Sequence, residues 1–152
     1  MASVIANNFL RGLFQGEFNL ATQDLRVMLL MTNTTVDTQL EDGSSTQNIS
    51  DFTTLDEFDG ANYVRKALAT ETVQQDDTNN RADFSADNLT WTALGVGTRS
   101  IQGALLYRHV TNDTDSLPIA FYEFSATPDG SDFTIRWDGG ASAGDLLRML
   151  KV

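Results

Sequence analysis

The feature that most constrains this chain is a hydrophobic periodicity that changes once and never changes back. In residues 1–16, Ile5, Phe9 and Leu13 recur at four-residue spacing, with Leu10 and Phe14 in a parallel row, which is the stripe of a single short helix. Ser3 is placed to cap that helix and Gly16 to end it. Such a stripe cannot stay solvated alone, so the helix must dock either on its own domain or on a neighbouring subunit. If it docks on a neighbour, Phe9→Asp should leave the rest folded while weakening assembly.

From Leu25 the period is two. Leu25, Val27, Leu29 and Met31 are apolar, and Met28 and Leu30 make the other face nearly so, as expected for a central strand covered on both sides. Residues 32–60 read as a long loop with turn chemistry at Asn33, Asp42-Gly43-Ser44-Ser45 and Asp59-Gly60. Within it, Thr54-Leu55-Asp56-Glu57 has capping-box spacing, enough for a helical turn that tucks in Leu55 and Phe58. A strand is expected over 63–73, with Val64 and Leu68 on one face, and a turn at Gln75–Asn80 returns the chain through Ala82 and Phe84. Leu89, Trp91 and Ala93 then alternate with Thr90 and Thr92. Strands follow over 101–110 and 117–124, the latter with Pro118 at its start, and Phe133, Ile135 and Trp137 alternate with polar residues. Leu146 to Leu150 reads as a last strand. About seven to eight strands joined by Asp, Asn and Gly turns define a mainly β, antiparallel sandwich or barrel-like domain with a short N-terminal helix. The 152 residues suffice for one such domain, a helix at 1–16 and a β domain over 17–152.

Composition then removes function classes. The formal charge of -11 repels phosphate, so nucleic acid is excluded as a partner, and no stretch of about 18 apolar residues implies a membrane span. The absence of cysteine removes thiolate nucleophiles and thiolate metal sites. With one histidine, His109, a transition-metal site is not expected, and no cofactor is implied. Carboxylates cluster at Asp76-Asp77, Asp83 and Asp87, at Asp56, Glu57 and Asp59, and at Asp113 and Asp115. None has the spacing of an EF-hand loop, so turn hydrogen bonding is the expected role, with weak calcium or magnesium binding as the alternative.

Gly140-Ala141-Ser142-Ala143-Gly144 matches the G-x-S-x-G nucleophile elbow in letters only. An elbow needs a following helix and a later histidine, whereas eight strand-like residues follow Gly144 and His109 lies upstream. Gly95-Val96-Gly97 lacks the lysine, serine and helix of a phosphate loop. Trp91 and Trp137 lie on apolar strand faces and are expected in the core rather than on a stacking platform. The expectation is a protein that is not an enzyme.

Segments Tyr63-Val64-Arg65-Lys66, Asp76 to Phe84, Leu89-Thr90-Trp91-Thr92-Ala93-Leu94 and Gly103-Ala104-Leu105-Leu106-Tyr107 give the chain a resemblance to a family of tailed-bacteriophage virion structural proteins. The resemblance extends to the N-terminal helix, the Leu25–Met31 strand and the closing Phe133-Thr134-Ile135-Arg136-Trp137-Asp138 strand. It implies a capsid decoration, or cement, protein on the outer head surface, made in the host cytoplasm. The implied partners are the major capsid protein and copies of itself, as a homo-oligomer such as a trimer. A tail, neck or head-fibre component that binds host-surface carbohydrate is the alternative placement. Independently of the resemblance, the apolar residues available for partner contact are Ile5, Phe9 and Leu13 on the helix and Leu55 and Phe58 in the long loop.

Overall fold

The computed structural model describes residues 3–42, 47–137 and 145–150, and the chain is mainly antiparallel β, sandwich-like and not closed into a barrel. The elements run β1 (Ser3–Ile5), α1 (Asn7–Gln15), β2 (Leu25–Met31), α2 (Val36–Glu41), a 3-10 turn (Ile49–Asp51), β3 (Lys66–Ala67), β4 (Thr72–Asp76) and β5 (Arg81–Ser85). They continue through β6 (Leu89–Trp91), β7 (Ile101–Arg108), β8 (Leu117–Ala126), β9 (Phe133–Ile135) and β10 (Asp145–Leu150). A five-stranded sheet has the order β1-β8-β7-β2-β3, a three-stranded sheet β10-β5-β4, and β6 pairs with β9.

The large sheet is the structural centre. Every residue of β2 except Arg26 is buried, as is most of β7 and the first half of β8, so both faces of the sheet centre are covered. β2 is interior as its two-sided pattern required, although β7 holds the middle position. Trp91 and Trp137 are buried, and each indole N–H donates to a backbone carbonyl, Val64 at 2.7 Å and Asp87 at 3.0 Å. That satisfies the polar end of a ring otherwise committed to the core.

Several boundaries differ from the expectation. Ser3 does not cap the helix: Ser3, Val4 and Ile5 pair with Tyr122, Phe121 and Ala120 at the edge of β8, and Ala6 N–H continues to the Ile119 carbonyl at 2.9 Å. Pairing with an open sheet edge satisfies more backbone groups than one extra helical turn would, so the helix begins at Asn7. Gly16 does end it, in the left-handed conformation at φ 74°. The strand expected over 63–73 is cut to β3 and the start of β4. Thr70, at φ 59°, breaks the run, with its hydroxyl on Asp87 at 2.7 Å, and Val64 is 62% exposed while Leu68 is buried. The alternating segment at Leu89 stops at Trp91, because Ala93 turns through φ 49° and donates its N–H to the Asp132 carboxylate at 2.9 Å.

The described parts of the long polar segment 32–60 fold against the domain rather than looping free. Val36, Leu40, Ile49, Phe52 and Phe58 are all buried. The capping-box spacing at Thr54–Glu57 makes no helical turn: Asp56 sits at φ 51°, its carbonyl accepts Met31 N–H at 2.8 Å, and Glu57 bridges to Leu30. Carboxylate capping occurs instead at the 3-10 turn, where Asp51 accepts the backbone N–H groups of Gln47 and Asn48 at 3.0 and 2.9 Å.

Candidate interaction surface

An apolar cleft of about 470 Å³ lies between α1, with the turn that follows it, and the three-stranded sheet. Strand alternation builds one wall: Val73, Phe84 and Leu147 stand in register across β4, β5 and β10 and so point to one face. The helix stripe builds the other, with Leu10 and Leu13. Phe9 and Phe18 close the floor edge to face at 4.9 Å, and the Arg108 guanidinium lies 4.7 Å from the Phe18 ring centre. Asp83 also lines the cleft, paired with Arg81 at 2.8 Å. Beside the opening, Ile5 and Leu10 are partly exposed and Phe14 is 93% exposed.

Ile5, Phe9 and Leu13 therefore come together at this cleft. Phe9 is only 2% exposed, so the helix docks on its own domain through that ring and presents Phe14 outward, with Leu10 half-exposed at the cleft. Phe9→Asp would bury a charge within this fold, which replaces the expectation that the domain would tolerate it. Leu55 and Phe58 lie elsewhere. Leu55 is half-buried against the core, and Phe58 is buried with its ring edge on Tyr63 at 5.7 Å. Gly60 and Gly97 flank the Phe58 ring so closely that a Cβ on either would collide with it. Gly97 thus helps seat an aromatic ring, while Gly95 packs against Ala61.

Among the described residues, the acidic clusters are held by specific structural contacts. Arg65 is bidentate to Glu57, at 2.8 and 2.7 Å, and to Asp113, at 2.5 and 2.9 Å, tying three separate segments together. Tyr63 donates to the same Glu57 at 2.8 Å and receives Leu29 N–H at 3.1 Å. Hydrogen bonds to Glu57, then to Asp113, raise the Arg65 pKa, and burial followed by the Glu57 charge pushes the Tyr63 phenol up. Both carboxylates are bound by the arginine fork.

The Asp-rich turns behave likewise. Asn79 holds the Asp76 carboxyl below its ordinary range, backbone N–H groups of Asn112 and Thr111 do the same for Asp115, and Thr98 for Asp59. Asp56 accepts Asn33 N–H at 2.8 Å and binds Arg99. His109 is half-buried, its Nδ1 3.5 Å from the Ser116 hydroxyl. Among the described residues no three His, Asp or Glu side chains converge on a metal position, and no helix is long and apolar enough to cross a membrane. Gly140 to Gly144 lies outside the described residues.

Sequence reading missed the strand wall of the cleft, because Val73, Phe84 and Leu147 are far apart in the chain and only sheet register aligns them. Phe14 was legible in its four-residue row with Leu10, and its exposure is what the row alone could not show. No family model, curated protein or solved structure matches the chain.

Proposed function

We propose that this is a non-enzymatic virion structural protein of a tailed bacteriophage, acting as a decoration protein that binds the outer head lattice. The observation that carries the binding role is the exposed apolar face of α1: Leu10 and Phe14 beside Ile5 and the cleft, on an otherwise acidic domain. A large apolar side chain held in water on a short docked helix is more useful as a contact than as packing. The phage assignment itself rests on the resemblance of the strand and turn segments described above. Decoration needs only binding energy, and many modest contacts repeated over a symmetric lattice resist internal pressure by avidity. Copies of the chain and the major capsid protein are the partners this role requires.

Cryo-electron microscopy of particles bearing the protein tests the reading through copy number. Density at every local symmetry axis of the head, in fixed ratio to the capsid protein, is the expected result. A few copies at one vertex or along the tail would replace it with a neck, tail or head-fibre role, and absence from particles would remove the virion assignment.

A further inference from the structure

The outer edge of β4 is unpaired among the described residues, and we infer that, with the adjoining cleft, it binds an extended, basic-ended segment of another protein by adding a strand. This goes beyond the virion reading and does not depend on it. β4 is the last strand of the order β10-β5-β4, and its register with β5 runs from Thr72 to Asp76 without a bulge. Among the described residues, no backbone hydrogen bond reaches it from any strand other than β5. Edge strands are ordinarily protected by charged side chains, above all lysine, or by proline, a bulge or brevity. Thr72-Val73-Gln74-Gln75-Asp76 has no lysine, proline or bulge, carries a charge only at its last residue, and is longer than β1 or β3, which end the large sheet.

The edge also leads into the cleft. The apolar row Leu147, Phe84, Val73 runs outward across the sheet and stops at Val73, which is 57% exposed. A strand laid beside β4 continues that row and places every second side chain over the open side of the cleft. Backbone hydrogen bonds then supply affinity, and the cleft supplies selection for an apolar side chain.

Charge selects the occupant. Glu71 precedes the strand, Asp76 and Asp77 end it, and residues 70–87 carry five carboxylates against the single Arg81, which already pairs with Asp76 and Asp83. The strand between them is uncharged over Thr72 to Gln75. A segment with alternating apolar residues and a lysine or arginine at each end is complementary to this arrangement. A second copy is not. Two β4 strands paired about a two-fold axis at Gln74 would set Glu71 of each against Asp77 of the other, in a chain of net charge -11.

The test is fluorescence anisotropy with three labelled octapeptides: Lys-Val-Thr-Val-Thr-Val-Thr-Lys, the same core with Glu at both ends, and the Lys-ended peptide N-methylated at alternate amides. Saturable binding of the first is expected, about tenfold weaker for the other two. Val73→Lys should weaken the first by a similar factor and leave the thermal midpoint unchanged. Three results would overturn the inference: no saturation by the first peptide up to about 1 mM, equal binding of the N-methylated peptide, or indifference to Val73→Lys. Sedimentation showing a dimer that Val73→Lys abolishes would overturn the choice of occupant.

Discussion

At the scale of the residue, Arg65 concentrates polar contacts from separate segments. Its fork binds Glu57 and Asp113 at once, and no lysine can reproduce that geometry. Arg65→Ala should lower unfolding free energy by roughly 2 kcal/mol, discounted for partial exposure, with Arg65→Lys recovering little of it; urea melts of both variants check this. The tyrosines give a pH signature. Burial pushes the phenol pKa up at Tyr63, Tyr107 and Tyr122, which are all the tyrosines present. A raised folded pKa means the stabilisation is complete below the unfolded value of about 10 and is lost as pH rises toward the folded value. Phenolate absorbance should therefore lag behind that of free tyrosine and then emerge together with loss of the fold. A titration in which all the phenolate forms near pH 10 on a folded protein would contradict the burial.

At the scale of the element, α1 presents two faces with different consequences. Phe9 packs on Phe18 and the core, so Phe9→Ala should cost about 3–5 kcal/mol. Phe14, on the outward face, should tolerate Phe14→Ser within about 0.5 kcal/mol, and the proposed decoration role requires that particle binding then fall. Thermal melts and co-sedimentation with expanded heads separate the two variants; equal stability losses would mean that the helix faces are wrongly assigned. The segment between β2 and β3 makes a similar point. Val36, Leu40, Ile49, Phe52 and Phe58 in it are buried, and Phe58 enters only because Gly60 and Gly97 lack side chains. Gly97→Ala should destabilise by about 1–3 kcal/mol through overpacking against that ring.

At the scale of the whole molecule, acid stability follows from the turns. Asp24, Asp59, Asp76, Asp115 and Asp129 are held below the ordinary carboxylate range, by Arg26 at Asp24 and by Thr98, Asn79, Asn112 and Ser131 at the others. A depressed folded pKa contributes stability above the unfolded value of about 3.9 and loses it as pH falls through the folded value. Urea midpoints should hold near neutrality and fall below about pH 4. A midpoint that rises on acidification would show that relief of the net negative charge outweighs these local bonds.

The one-dimensional pattern was enough to determine the mainly β antiparallel class, the two-sided burial of Leu25–Met31, the Gly16 stop and the final strand, because alternation and turn chemistry are local. It misread Thr54–Glu57 as a helical turn, Tyr63–Val73 as one strand and Ser3 as a cap. At each of these, a long-range contact outbids the local preference: Asp56 with Met31, Thr70 with Asp87, and Ser3 with Tyr122. Leu13 and Ile5 could be nominated from helical spacing, but the cleft they share with Val73, Phe84 and Leu147 could not. Residues that far apart meet only through strand register, a property of paired backbones that no single segment encodes.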